Sequence, residues 1–364
     1  MAGAMTAGVV FGTCPLINKA QAAQKGPPPK RRGVVVAGRR VKTVDIHAHC
    51  LVPDAWNLVK GYEWASSLTT SLDNHDYGRQ LSLSAVEERL GVMDAWGIDV
   101  QAVSINPFWY PAERDIAAEL INLQNERLAE LCSAHPDRFV GMASVALQFP
   151  DLAAQQLEQG VKKMGMRGCL IGGSVNGTDL SATQFNPFWA KAEELGVVVF
   201  IHPQAGVLAQ MDSRLQGNGF LTNVIGNPLE TTIALSHLIS EGTLDRYPGL
   251  RICGAHGGGY LPSYIGRSEA CFDQVARPGG CKATQKHPRE YLKQLYFDSM
   301  VFTPEGLRHL VAEAGASQIM LGTDFPYAWT ARAVDHILGT PGLNNAQREA
   351  LLGGTAARLL GIRA

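Results

Sequence analysis

The sequence predicts an α/β fold, a (β/α)8 or TIM barrel with a small insertion after its first strand and an extended N-terminal arm. The first observation behind this prediction is that short apolar runs alternate with longer amphipathic segments beyond residue 40. The second is that histidines and an aspartate end several of these runs, where a barrel gathers its functional groups. From the alternation alone, a doubly wound open sheet is the alternative. The β-type runs number eight: 43–47, 100–105, 139–144, 168–171, 197–202, 251–255, 295–298 and 319–322.

Amphipathic segments between these runs predict the helices. The segment 84–96 begins with a Ser-x-x-Glu capping pattern. Residues 344–360 are predicted to be helical and to close the bottom of the barrel or pack on a partner. The stretch 52–83 has no clear helical period and is predicted to be an excursion after the first strand that could roof a pocket. The other predicted helices are 113–134, 151–164, 228–247 and 304–314.

The N-terminal 40 residues differ from the rest and are predicted to form an arm and a linker, with the barrel occupying residues 41–364. Residues 1–12 are small and apolar, and residues 20–23 resemble a signal-peptidase site, but a cationic start is missing. Residues 25–32 are basic and rich in proline, as in an extended linker. An arm that packs on the fold or on a neighbouring subunit fits a cytoplasmic protein. Export is the alternative if residues 1–23 are the remnant of a signal peptide.

Composition restricts the class of ligand. The chain has 364 residues, 46% of them hydrophobic, and a formal net charge of −1, without a basic block among aromatics. These features argue against a nucleic-acid partner, and no apolar stretch reaches the ~20 residues that a membrane span needs. The seven cysteines form no C-x-x-C pair and are predicted to be reduced. A small molecule is therefore the expected ligand.

The most informative motif is His47-Ala48-His49, at the end of the first β-type run. In an extended strand, residues i and i+2 point to the same side, so the two imidazoles can face a common point. Chance placement on a solvated strand end explains an isolated His-x-His about as well as metal binding does. The ends of the other strands therefore decide between the two interpretations.

Three further polar residues follow other predicted strands. His202 ends the fifth run, His256 follows the sixth, and Asp324 follows the eighth. Each alone could cap a strand or a helix, or hydrogen-bond a turn. Together they share the C-terminal face of the barrel, which predicts a metal or acid–base site there.

Imidazoles with one carboxylate and an open coordination position are typical of a catalytic site for one divalent metal. Zinc is the first expectation, and manganese is compatible with the same donors. His256 is better suited to proton transfer beside the metal than to ligation. The three glycines that follow it would let the backbone approach a ligand or take positive φ, although a flexible turn explains them too.

These residues resemble the amidohydrolase superfamily, and most closely its decarboxylase branch, typified by 2-amino-3-carboxymuconate-6-semialdehyde decarboxylase. The resemblance runs from about residue 44 to 360. Its motifs are Pro-Asp-Arg-Phe-Val-Gly at 136–141, Ile-His-Pro at 201–203, Gly-Asn-Pro-Leu-Glu-Thr-Thr at 226–232, Ala-His-Gly-Gly-Gly at 255–259 and Leu-Gly-Thr-Asp-Phe-Pro at 321–326.

The resemblance implies roles for individual residues. His256 and Asp324 would be catalytic, and the site would be mononuclear because residues 168–173, like the branch, have no lysine that could bridge a second metal. The metal ligands implied are His47, His49, His202 and Asp324.

Substrate carboxylates in the branch are bound by arginines, one of them from a neighbouring subunit. Arg267 matches that trans-acting position, which implies a homodimer or a higher homo-oligomer, although an exposed helix arginine is an equal interpretation. Arg79, in the excursion after the first strand, is a looser match to the arginine of the same chain.

The chain departs from the muconate enzyme around the substrate. Gln204 follows His-Pro where the family has tryptophan, and Phe325 begins an aromatic-rich loop after the eighth strand. Phe108 after the second strand could stack on a planar ring, as could Phe325, although both could equally be core aromatics.

The sequence therefore predicts a metal-dependent, non-oxidative decarboxylase, a carbon–carbon lyase, that acts on an aromatic or muconate-like carboxylic acid. Metal-dependent hydrolysis of a lactone or an amide on the same barrel is the alternative, because the same ligands lower the pKa of water. A non-catalytic binding barrel is a third possibility.

Overall fold

A computed structural model describes residues 31–66, 82–204, 213–274, 284–327, 329 and 332–363 of the chain. Its main sheet has eight strands, and each strand pairs in parallel with the next one along the chain. Continuous apolar sequence explains their burial, because parallel strands covered by helices have no solvated face. The strands are β1 (Val44–His49), β2 (Val100–Ser104), β3 (Phe139–Ala143), β4 (Gly168–Gly172), β5 (Val198–His202), β6 (Arg251–Gly254), β7 (Tyr296–Asp298) and β8 (Ile319–Met320).

Backbone hydrogen bonds between the first strand and the segment that follows the last strand close the sheet. Ile46 N donates to Leu321 O at 2.9 Å, and His49 N donates to Phe325 O at 2.7 Å. Asp324 N donates back to His47 O at 2.8 Å. The predicted (β/α)8 barrel is therefore confirmed, and the open-sheet alternative is wrong.

Helices surround the sheet and follow its strands in order. Proline in the first turn begins several of them, since it has no N–H to lose there and its φ suits a helix. They are α1 (Pro53–Val59), α2 (Val86–Trp96), α3 (Arg114–Ala134), α4 (Pro150–Met164), α5 (Asn186–Leu195), α6 (Asn227–Ser240), α7 (Thr243–Arg246), α8 (Leu261–Phe272), α9 (Pro288–Tyr291), α10 (Pro304–Ala314), α11 (Ala333–Gly339), α12 (Asn345–Glu349) and α13 (Thr355–Leu360).

Two predicted segments differ from the structure. The stretch 52–83, predicted as an excursion without a clear helical period, contains α1 and a 3-10 turn at Glu63–Ala65. With seven residues, α1 makes fewer than two full turns, too few to display a period. The predicted helix 228–247 is divided at Gly242, whose φ of 71° ends α6 before α7 begins.

The C-terminal segment closes the bottom of the barrel, one of its two predicted roles. It runs through α12, a π-helical turn at Ala350–Gly354 and α13. Leu359 and Leu360 pack in the same apolar cluster as Val44 and Val198, at the start of their strands. Burial of this end leaves the opposite end of the barrel for chemistry.

The predicted arm lies outside the described residues as far as Lys30. The hairpin Val35–Val36 with Arg39–Arg40 follows, and Arg31 and Arg40 form ion pairs with Asp99 at 2.9 Å and 2.6 Å. Among the described segments, no helix has the length and apolarity that a membrane crossing requires.

The cysteines depart from their prediction at one position. Cys50, Cys132, Cys169 and Cys253 are free thiols. Cys271, near the end of α8, is disulfide-bonded, so the prediction that the cysteines are reduced is wrong there. The absence of a C-x-x-C spacing argues only against a disulfide between cysteines three residues apart. It does not argue against a disulfide between cysteines farther apart in the sequence.

Candidate metal centre

Two histidines of β1 form one side of the site. His47 and His49 lie two residues apart on an extended strand, so their rings project into the same space, with centroids 4.9 Å apart. Both rings are buried, and their Nε2 atoms are 3.0 Å apart.

His202, from the opposite side of the barrel, and Asp324, from the loop beside β1, complete the cluster. His202 is the last residue of β5, and its ring centroid is 4.6 Å from that of His49. Oδ1 of Asp324, in the loop after β8, lies 3.1 Å from His47 Nε2 and 2.9 Å from His49 Nε2. One ligand atom from each of the four side chains falls within 4.8 Å of all the others. A site for a divalent metal is therefore present, built from the four residues that the resemblance implies.

The polar atoms of this cluster fit a bound cation. Both ring nitrogens of His202 and Nδ1 of His49 are buried without a hydrogen-bond partner among the described residues. Such atoms are costly to bury unsatisfied, and a cation held by one nitrogen of His202 would satisfy that nitrogen. Three imidazole nitrogens and a carboxylate oxygen are donors that zinc and manganese accept.

The protonation states of the four side chains also fit a cation site. Burial opposes protonation of His47, but the carboxylates of Asp324 and Asp298 outweigh it and raise its pKa to about 10. Burial lowers the pKa of His49 to about 4 and that of His202 well below its usual value. Burial alone would raise the pKa of Asp324, but the imidazole of His47 outweighs burial and holds that pKa well below its usual range. At neutral pH, His47 therefore carries the additional proton. The imidazoles of His49 and His202 are neutral, and Asp324 is an ionised carboxylate.

Asp298 orients His47 from behind. Its buried Oδ2, at the end of β7, lies 2.7 Å from His47 Nδ1 and accepts a hydrogen bond from His256 N at 2.9 Å. This carboxylate holds a proton on His47 Nδ1, so Nε2 is the nitrogen that faces the cluster. Sequence analysis missed Asp298, although it carries the signal that identified Asp324, an acid at the end of a predicted strand.

His256 lies beside the four ligands. Its Nε2 is 3.8 Å from Asp324 Oδ2, and its ring centroid is 5.2 Å from that of His47. His256 has a φ of 54° and is followed by three glycines that also have positive φ. A Cβ on Gly259 would lie 2.1 Å from Pro228 O, so this turn requires glycine for close backbone approach.

The structure separates the residues predicted to bind substrate. Phe108 is half-buried, and its ring stacks on Trp64 with centroids 6.4 Å apart. Phe325 is 1% exposed and packs beneath the guanidinium of Arg89 at 4.5 Å, inside the barrel wall. Arg267 is exposed on α8. Arg79 lies outside the described residues.

Glu230 is a second residue that sequence analysis missed as an individual. It is buried on α6, and its Oε2 accepts a hydrogen bond at 3.1 Å from the backbone N of Gln204, two residues after the ligand His202. Burial raises the pKa of Glu230 to about 7. The sequence signal was its motif at 226–232, which gave the residue no role.

A closed parallel barrel with three imidazoles and a carboxylate at its C-terminal face defines a metal enzyme of the amidohydrolase class. The chain belongs to the amidohydrolase family, whose model matches residues 44–362. It is 32% identical over 337 residues to the 2-amino-3-carboxymuconate-6-semialdehyde decarboxylase of Dictyostelium discoideum, which covers 88% of this chain and 91% of that protein.

Solved structures agree with the fold. The 5-carboxyvanillate decarboxylase of Sphingomonas paucimobilis shares the fold, with a TM-score of 0.81, 24% identity and coverage of 89% of this chain and 100% of its own. A dihydroxybenzoic acid decarboxylase of Polaromonas sp. JS666, with bound manganese and the inhibitor 2-nitroresorcinol, has a TM-score of 0.75 and 25% identity and covers 89% of this chain and 98% of its own.

Proposed function

We propose that the protein is a metal-dependent decarboxylase that removes carbon dioxide, without oxidation, from an aromatic or muconate-like carboxylic acid. The observation that carries this proposal is the cluster of four ligands with His256 beside it. Relatives that share the fold act on planar, conjugated acids according to their names. A site that binds a cation and holds a proton source next to it suits this reaction.

The reaction needs one proton and no oxidant. The bond between the substrate carbon and its carboxylate breaks, and the electron pair of that bond forms a new C–H bond to a proton. We assign this proton to the pair formed by His256 Nε2 and Asp324 Oδ2, which are 3.8 Å apart. His256 is the proton donor, and Asp324 holds its ring toward the substrate while also serving as a ligand.

His47, His49, His202 and Asp324 would hold the metal. When bound, a divalent cation supplies the positive charge that stabilises a negatively charged substrate oxygen as charge develops. Zinc is the proposed ion because imidazole donors dominate the site, with manganese as the alternative that the Polaromonas relative supports.

The proposed substrate is a small carboxylate bound by arginines and by an aromatic surface. Arg267, exposed on α8, is available to a second copy of the chain, and we propose that it acts in trans within a homodimer. Arg79 is proposed as the arginine of the same chain. Phe108, backed by Trp64, is the proposed stacking surface, while buried Phe325 would act by supporting the barrel wall.

The proposed domain organisation is an arm over residues 1–40 and the catalytic barrel over 41–364. We propose the cytoplasm as the location. Export is the alternative, and the disulfide of Cys271 favours it, because disulfides persist in oxidising compartments.

Turnover on a panel of acids tests the reaction. Metal-loaded protein would be incubated with dihydroxybenzoates, 5-carboxyvanillate and 2-amino-3-carboxymuconate-6-semialdehyde, and released carbon dioxide would be measured directly. Aryl lactones and anilides in parallel would report ring opening or amide hydrolysis. Release of carbon dioxide from at least one acid supports the proposal, whereas hydrolysis without any release of carbon dioxide identifies a hydrolase and overturns it.

A further inference from the structure

Three of the four metal ligands lie at an irregular part of the barrel. Between β1 and the segment after β8, the pairing includes a single bridge between Ala48 and Phe325. Between β1 and β2, the register shifts between Asp45 and Ala48. Asp324 itself has a φ of 56°, in the left-handed region. Isolated backbone hydrogen bonds, from Asp324 N to His47 O and from His49 N to Phe325 O, cross this seam, and no continuous strand ladder among the described residues supports them.

A buried carboxylate lies at this seam. Asp45 Oδ1 accepts hydrogen bonds from His47 N at 3.0 Å and from Thr323 N at 3.1 Å. Its Oδ2 accepts from the hydroxyl of Thr323 at 2.6 Å and from Gln101 Nε2 at 3.0 Å. One side chain thus holds the backbone of a ligand on β1 together with the residue that precedes the ligand after β8.

A buried guanidinium lies on the other side of Gln101. Arg89, on α2, donates from Nη1 to Gln101 Oε1 at 3.2 Å and from Nη2 to the backbone oxygen of His49 at 2.6 Å. Its Cζ lies 4.5 Å from the centre of the Phe325 ring. Arg89 therefore contacts the residue that follows Asp324 as well as the second ligand of β1.

We propose that Arg89, Gln101, Asp45 and Thr323 form a positioning network that sets the distance between the ligands of β1 and Asp324. The network is continuous, buried and neutral overall, because one cation and one anion are joined through a single amide. It determines metal affinity without touching the metal. Polar groups that hydrogen-bond to metal ligands orient those ligands. Loss of such a group typically lowers metal affinity about 10–100-fold.

The links in the middle of the network test it. Gln101→Met keeps the length of the side chain but removes the bonds to Arg89 and Asp45. Thr323→Val removes the hydroxyl that donates to Asp45, and Thr323→Ser restores it. Affinities for Zn²⁺ and Mn²⁺ would be measured by competition with a coloured chelator on folded, metal-free protein, and urea unfolding of the same samples would report stability.

Matched controls lie away from the site. Thr340 is a buried threonine whose hydroxyl bonds to His336 O, and Gln318 is a buried glutamine that donates to Leu295 O. Thr340→Val and Gln318→Leu remove the same kinds of polar group. They should lower stability without changing metal affinity.

We expect about 10-fold weaker metal binding in Gln101→Met and Thr323→Val, near-normal binding in Thr323→Ser, and no change in the two controls. Metal affinity equal to that of the parent chain in folded Gln101→Met and Thr323→Val overturns the proposal, as does equal weakening in the controls. Because the readout is metal binding, this result is independent of whether any acid is decarboxylated.

Discussion

Replacing Asp298 with asparagine disturbs the metal centre from behind while preserving the size of the side chain. The carboxylate accepts four hydrogen bonds: from His47 Nδ1 at 2.7 Å, His256 N at 2.9 Å, Gly257 N at 2.8 Å and Met300 N at 3.0 Å. Each oxygen accepts two of them. In either orientation, the NH2 group of asparagine therefore faces two N–H donors.

The size of the effect follows from these contacts. Loss of a hydrogen bond between charged partners costs about 1.5–3 kcal/mol, so metal-free Asp298→Asn should unfold more easily by roughly that amount. If the NH2 group faces His47 Nδ1, it favours the tautomer with its proton on Nε2, the atom that faces the other ligands. Metal affinity should fall about 10–100-fold, equivalent to about 1.4–2.8 kcal/mol.

Chelator competition on folded protein measures the affinity, and urea unfolding of the same sample measures stability. Asp151→Asn is the control, since Asp151 is an exposed carboxylate that pairs with Arg114 far from the site. Folded Asp298→Asn that binds Zn²⁺ as tightly as the parent chain would refute the reasoning.

Three other predictions concern the centre and its turn. His256→Ala should retain about one metal per chain by elemental analysis. Its rate of carbon dioxide release should fall about 100-fold or more, because a positioned proton donor typically contributes about that much to the rate. Normal turnover would remove His256 from the mechanism. Because the pKa of His47 is about 10 without metal, its protonation stabilises the metal-free chain fully below pH ~6.5, and that stability is lost as pH rises through about 10. Metal binding at pH 8 should therefore release about one proton, which calorimetry in buffers of different ionisation enthalpy would detect, and release of none would contradict the assignment. Gly259→Ala should destabilise the fold by more than about 1 kcal/mol, because its Cβ would meet Pro228 O at 2.1 Å. Gly266→Ala, which has open space around its Cβ, should not destabilise the fold. Equal melting temperatures of the two variants would contradict the turn geometry.

The strands were predictable because each is a short, apolar run buried on both sides. The predicted run 139–144 differs by one residue at its end from Phe139–Ala143, and 100–105 differs by one from Val100–Ser104. The positions of the ligands were predictable from the strands, because polar residues at the ends of such runs meet at one face of a barrel. The helix Pro53–Val59 was not, because seven residues show no clear period.

The residues that support the ligands were harder to identify. Asp45 and Arg89 act through hydrogen bonds to residues 278 and 40 positions away, and no local pattern marks such pairings. Phe325 shows the converse problem, since an aromatic residue after a strand can face the pocket or the wall. In this structure it packs under Arg89 in the wall.

The most direct test of a mononuclear, metal-dependent decarboxylase is titration of metal-free protein with Zn²⁺ or Mn²⁺ while carbon dioxide release from a decarboxylated acid is followed. The four-ligand site predicts no release without metal and a linear rise that ends at about one equivalent per chain. Release that persists in fully stripped protein, or that requires two equivalents, would contradict it.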